Sequence, residues 1–126
     1  MSGLKTIIAG SRSITDKSIL DEVIEQQVDW EISEVVSGGC RGMDTLGEEW
    51  ADEHDIECTV FEADWDEHGN AAGPIRNGEM AEYADALIAI RDGDSTGTID
   101  MLSKARSNEL VVIEEDISVQ SLTDFL

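Results

Sequence analysis

The sequence predicts a single α/β domain of Rossmann-like type: a parallel five-stranded sheet, order 3-2-1-4-5, with helices on both faces. Three observations predict it. Short, nearly continuous apolar runs alternate with segments whose apolar residues recur at helical spacing. Such runs are what strands of a parallel sheet look like when both faces are covered. The length of 126 residues fits one domain, and 40% hydrophobic residues supply a core without a metal or disulfide staple. We take residues 1–126 as one domain with a core over 4–114 and a short tail over 115–126.

Leu4 to Gly10 reads as the first strand, ending in glycine. Ile19, Leu20, Val23, Ile24 and Val28 then mark a helix behind the cap candidates Thr15 and Asp16. Glu34 to Ser37 is the second strand, and it runs into Gly38-Gly39-Cys40-Arg41-Gly42. The helix that follows buries Met43, Leu46, Trp50 and Ala51. Cys58 to Ala63 is the third strand, and a polar loop is expected from Asp64 to Gly73. Pro74, the only proline, marks a helix start, where a missing N–H does no harm. That helix carries Arg76, Asn77 and Met80 to about Ala84, with Gly78 costing about 1 kcal/mol relative to alanine. Ala86 to Ile90 is the fourth strand, Ser95 opens a helix through Arg106, and Leu110 to Ile113 is the fifth strand. A short tail helix is expected over Val119 to Phe125.

Charge narrows the function. Eight Lys+Arg against 29 Asp+Glu give a net charge of −21. A blanket phosphate-neutralising nucleic-acid binder is therefore excluded, whereas one small anionic ligand in a local cationic pocket is not. The acid is spread along the chain, and only Lys5, Lys17 and Lys104 are lysines. This points to a salt-adapted cytoplasm, in a salt-loving host or one of its viruses; an acidic mesophilic or viral protein is the alternative. Cys40 and Cys58 have neither a disulfide framework nor metal-ligand spacing, which fits a reducing cytoplasm. The apolar runs are too short for a signal peptide or a membrane span, so no membrane partner is expected.

The arginines are placed unevenly. Arg12 follows strand one, Arg41 follows strand two, Arg76 opens the third helix and Arg91 ends strand four; only Arg106 lies elsewhere. All four fall on the carboxyl edge of the sheet, where open α/β sheets bind ligands. Arginine presents a planar fork suited to phosphate or carboxylate. Pairing with neighbouring acids is the competing reading for Arg91 and Arg12. Three strand-to-helix turns, Gly10-Ser11-Arg12, Ser37 to Gly42 and Ser95-Thr96-Gly97-Thr98, can present bare backbone N–H groups to an anion. None matches the phosphate loop ending in Gly-Lys-Ser/Thr or the dinucleotide pattern Gly-x-Gly-x-x-Gly, and no cofactor is expected.

Several other residues have two readings each. Asp44 is either a ribose-hydroxyl acceptor or an acid suiting a helix dipole. Asp64, Trp65, Asp66 and His68 form a lid with Trp65 stacked on a base, or Trp65 anchors the loop. No partner ligand is spaced to complete a metal site with Asp64, Asp66 and His68. Cys40 beside Arg41 is either a low-pKa thiol or an inert small residue, and His54 a helix cap.

Together, Gly10-Ser11-Arg12, Val36 to Asp44, Ala63-Asp64-Trp65, Ala72 to Asn77 and Gly97-Thr98 resemble the YspA-type, cpYpsA-related branch of the SLOG superfamily over nearly the whole chain. The resemblance implies a Rossmann-like domain that binds nucleotides or nucleotide derivatives, commonly as a homodimer. Its more distant members include LOG phosphoribohydrolases, which cleave the base from cytokinin ribotides, sensor domains of antiviral systems, and DNA-processing protein A, which binds single-stranded DNA. By resemblance, Ser37, Gly38, Gly39 and Gly42 line the phosphate or ribose turn. Arg76 matches an arginine that LOG enzymes place against substrate, and Gly97-Thr98 matches part of their Gly-Gly-x-Gly-Thr-x-x-Glu motif. The glutamate position is Met101 here, with Asp100 one residue early and about 100° around the helix. Nucleotide binding or sensing without catalysis is therefore the expectation. N-glycosidic hydrolysis and single-stranded DNA binding are the alternatives, and the charge counts against the latter.

Overall fold

A computed structural model describes residues 3–118. Five parallel strands form one sheet in the order β3-β2-β1-β4-β5. In chain order the elements are β1 (Gly3–Gly10), α1 (Lys17–Gln27), β2 (Glu31–Ser37), α2 (Met43–Glu53), β3 (Glu57–Val60), α3 (Trp65–His68), a 3₁₀ turn (Gly69–Ala71), α4 (Ala72–Tyr83), β4 (Ala86–Arg91), α5 (Thr96–Ser107) and β5 (Val111–Asp116). The expected order and fold class both hold.

Each side of the sheet has its own core. Ile8, Val35, Ile88 and Ile90 pack with Leu20 and Val23 of α1 and with Met43, Leu46, Trp50 and Ala51 of α2. Ile7, Ala9, Val36, Leu87 and Ala89 pack on the opposite side with Met80, Ala81, Met101, Leu102 and Ala105 of α4 and α5. Neighbours in sequence thus belong to different cores, as the period-2 geometry of a strand requires. Asp16 caps α1 by accepting from the Ser18 N–H at 3.0 Å.

Five features differ from expectation. β2 begins at Glu31, where it pairs with Gly3; exposed Glu31 and Ser33 flank buried Ile32 and break the apolar run that marks a strand. β3 stops at Val60 because it pairs only with β2, whose last residue Ser37 lies opposite Val60; the Phe61 N–H makes a final bond to Ser37 O at 2.8 Å. The expected polar loop is helical: Asp64 Oδ1 accepts from the Glu67 N–H at 3.0 Å, so a capping acid nucleates α3. No residue of α3 is buried, which removed the periodicity a helix normally shows. Pro74 is the third residue of α4, still within the turn that needs no N–H. β5 continues through Asp116, two residues into the segment assigned to the tail. The tail helix expected over Val119 to Phe125 lies outside the described residues.

Candidate functional site

The three glycine-bearing turns converge because Ser11 ties them together. Its amide bonds Ile90 O at 3.1 Å and its hydroxyl accepts from the Asp92 N–H at 2.9 Å. Its carbonyl accepts from the Met43 N–H at 3.2 Å. Gly42 makes the last contact possible. Its φ is +77°, and a Cβ there would stand 2.5 Å from Ser11 O and from the Arg12 backbone. Any other residue would push the start of α2 away from the end of β1.

Above these turns lies an open cavity of about 740 Å³, within the size range of small-molecule sites. The turn after β1 contributes Gly10, Ser11 and Arg12; the turn after β2 contributes Cys40, Arg41 and Asp44. Arg76, Asn77 and Met80 come from α4, and Asp92, Asp94, Ser95, Thr96, Gly97, Thr98 and Met101 supply the far wall. Arg12 and Arg41 are exposed at the rim and make no ion pair among the described residues. Three arginines face three aspartates, Asp44, Asp92 and Asp94. In a chain of net charge −21, equal numbers are a local enrichment in cation.

Arg76 is 8% exposed and is held by neutral partners. It donates from Nη1 to Gly38 O at 2.5 Å and from Nε to Asn77 Oδ1 at 3.0 Å. Asn77 Nδ2 donates to Gly97 O at 3.3 Å and to Asp100 Oδ2 at 2.9 Å. One arginine–asparagine pair therefore spans the cavity floor from the turn after β2 to the start of α5. Gly38 permits this arrangement, since a Cβ there would stand 2.9 Å from both Arg76 Nη1 and Asp44 Oδ2.

Asp44 is 7% exposed, in the first turn of α2. Burial pushes its carboxyl up to about 6, against the opposing pull of the Cys40 N–H and of Arg76. Oδ2 accepts from that Cys40 N–H at 3.2 Å, and among the described residues nothing donates to Oδ1.

The donors of the turns are divided unequally. In the turn after β2, the Gly39 N–H goes to Ser37 Oγ (3.1 Å), which itself donates to Glu48 (2.6 Å). The Cys40 and Met43 amides are engaged as well, whereas those of Arg41 and Gly42 bond no other group among the described residues. At α5 no side chain takes a backbone amide of the turn. The cap residue Ser95 shares its hydroxyl with Thr98 Oγ1 at 2.8 Å and gives no side-chain bond to a helix amide. The Ile99 N–H is bonded to Ser95 O, so the amides before it precede the helical ladder. Nothing stands within 4 Å of a Cβ built on Gly97.

The remaining sequence candidates lie elsewhere. Asp64 caps α3, and Trp65 is 52% exposed, its ring edge 3.5 Å from the Cβ position of Gly73; neither lines the cavity. Arg91 is spent on Glu114 and Asp116, both at 3.0 Å, so the acid-pairing reading describes it. His54 ends α2, stacked on Trp50 with centroids 4.2 Å apart. Met101 is 1% exposed and lines the cavity, whereas Asp100 is tied to Asn77 and, at 2.6 Å, to Lys104. Among the described residues no cluster of acids, histidines and cysteines could hold a metal, and no helix is long and apolar enough to cross a membrane. Sequence reasoning gave no role to Asp92 and Asp94 at the rim; being exposed acids in an acidic chain, they carried no signal.

The sequence profile of the YspA, cpYpsA-related SLOG family matches residues 4–68, from β1 through α3. The Gene 61 protein of Mycobacterium phage D29 is similar over 117 residues at 30% identity, covering 86% of this chain and 94% of the phage protein. The matched profile includes Ser11, Gly42 and Asp44, and the phage relative extends the likeness over most of the chain. The chain belongs to the YspA, cpYpsA-related SLOG family.

Proposed function

We propose that this protein binds a nucleotide or nucleotide derivative in the cavity at the carboxyl edge of the sheet, its phosphate at the start of α5. The observation that carries this reading is the uncapped amide terminus of α5, open at Gly97 and linked through Asn77 to buried Arg76. A helix start of this kind offers oriented N–H donors and a positive dipole end to an anion. Arg12 and Arg41, without an ion pair among the described residues, supply the remaining cation at the rim. Gly10, Ser11, Ser37, Gly38, Gly39 and Gly42 shape the cavity; Thr98 and Asn77 fix the helix start.

The reading is one of binding without cleavage. Breaking a sugar–base bond needs a carboxylate near the anomeric carbon, and Met101 occupies the place the LOG motif gives to glutamate. A long basic track for single-stranded DNA is lacking as well. We also assign the protein to a salt-rich cytoplasm as a homodimer. A urea midpoint that climbs from low to molar KCl, and a light-scattering mass twice 13.7 kDa, are the expected measurements.

Thermal unfolding in molar KCl with nucleoside mono- and diphosphates and ADP-ribose tests the binding. At least one compound raises the midpoint, by mass action. No shift with any of them overturns the reading. Free base released from the monophosphates, and lost on Asp44→Asn or Asp100→Asn, would make the protein a hydrolase instead.

A further inference from the structure

Asp44 is a carboxylate inside a cavity proposed to hold an anion, and that placement has to be reconciled. It is more than nine-tenths buried, lines the cavity, and keeps Oδ1 without a donor among the described residues. A phosphate against it would meet like charge in a poorly hydrated place, so the phosphate stays at α5 and a different part of the ligand faces Asp44. That part must bring a hydrogen-bond donor without negative charge, because a carboxylate accepts only.

Resting on the nucleotide-binding reading, we propose that Asp44 accepts the 2′- or 3′-hydroxyl of a ribose, so that the site selects ribonucleotides over deoxyribonucleotides. The floor links the two ends of the site. A single Arg76–Asn77 pair connects Gly38, which Asp44 overhangs, to Gly97, where the phosphate sits. In a nucleotide the sugar is the part attached directly to the phosphate, whereas the base lies farther along. Asp44, at the other end of that floor, is where the sugar comes to lie. Arg76 keeps its guanidinium on backbone and amide oxygens, so it attracts Asp44 without taking up its free oxygen. Arg12 adds positive potential and Glu48, one turn along α2, opposes it.

The experiment is calorimetric titration of the full chain in molar KCl with the four ribonucleoside 5′-monophosphates, their 2′-deoxy counterparts and 3′-deoxy-AMP. Asp44→Asn and Asp44→Ala are titrated alongside, and their thermal midpoints confirm folding. The parent binds the ribonucleotide about 10- to 100-fold more tightly than at least one deoxy counterpart, as expected for a hydrogen bond to a charged group. In both variants the ratio falls to less than about threefold. Equal affinity of the parent for all sugar forms overturns the proposal and leaves nucleotide binding standing; this arm needs no variant. Sugar discrimination that survives in Asp44→Ala also overturns it. So does a variant that loses preference among bases while keeping preference among sugars, which would place a base edge at Asp44. Failure of every nucleotide to bind removes the parent reading and this one together.

Discussion

At the end of β4, Arg91 lies between Glu114 and Asp116 of β5; near the end of β2, Arg76 lies beside Asp44 across Gly38. Both arginines stand at the same edge of the same sheet. Arg91 meets charge with charge: Nη1 reaches Gly93 O and Asp116, while Nε and Nη2 grip Glu114, which also accepts from Arg106. The carboxyls respond accordingly. Glu114 is held below its usual range by Arg106 and Arg91, and Asp116 is pulled down to about 2, first by the Ser118 hydroxyl and the Gly93 N–H. Arg76 instead spends its donors on neutral oxygens, and Asp44, short of donors, is pushed up. A saturated cluster fastens an edge strand; an unsaturated buried one keeps bonding capacity for something else. Position at the sheet edge does not separate the two, whereas the partners do.

The largest effects should come from truncating each arginine. Arg76→Ala strips Gly38 O and Asn77 Oδ1 of their donor and leaves Asp44 without its nearest cation, at a cost of about 3–5 kcal/mol. Nucleotide-induced stabilisation disappears with it. Arg91→Ala acts on a partly exposed network and costs about 1 kcal/mol, with the ligand-induced shift retained. Urea unfolding with and without nucleotide measures both. Loss of the ligand shift in Arg91→Ala alone would reverse the comparison.

The pH dependence of the two clusters should have opposite sign. A folded Asp44 holds its proton up to about pH 6, and an unfolded one releases it near 3.8. Between these values the folded state binds more protons, so this group's contribution falls as pH rises and stays unfavourable above 6. The groups facing it are Arg76 on α4, Glu48 on α2 and Arg12 after β1. Asp44→Asn keeps an acceptor for the Cys40 N–H and removes the titration. It should therefore exceed the parent in stability by up to about 3 kcal/mol at pH 7.5, the gap closing near pH 4. Glu114 and Asp116 run the other way: their contribution is present above about pH 4 and lost as pH falls toward 2. Urea midpoints of parent, Asp44→Asn and Arg91→Ala from pH 2 to 8 separate the slopes. A constant gap between parent and Asp44→Asn would assign Asp44 an ordinary carboxyl.

Much of this was legible in the residues. Ile7-Ile8-Ala9 and Ala86 to Ile90 are apolar on both faces, so the central strands and their order followed. The edges did not, because β3 ends where its single partner ends, and no local property of Phe61-Glu62-Ala63 announces that. Gly-rich turns announced the cavity, the placement of the arginines singled out Arg76, and the family resemblance added Asn77. Which amides stay unengaged was hidden, since Ser37 and Asp44 satisfy Gly39 and Cys40 through side chains whose direction only the fold sets. Asp44 was visible with two readings, a ribose-hydroxyl acceptor or an acid at a helix start; its burial, and the nearby charge of Arg76 thirty-two positions along the chain, are set by the fold.

The smallest change tests the finest division, between the turn after β2 and the start of α5. Gly97→Ala adds a methyl where nothing stands within 4 Å, in the first turn of a helix and without a positive φ. Alanine loses less backbone entropy than glycine on folding, so stability should rise slightly, by about 0.5–1 kcal/mol. The same methyl projects into the space a phosphate needs in order to reach the backbone, so nucleotide affinity should drop about tenfold or more. Gly38→Ala offers the contrast. Its methyl meets Arg76 and Asp44 at 2.9 Å, so it should weaken binding and stability together. Thermal midpoints give one quantity and titration the other. A Gly97→Ala protein that is more stable and binds nucleotide as tightly as the parent would move the phosphate away from α5, leaving the rim arginines to hold it.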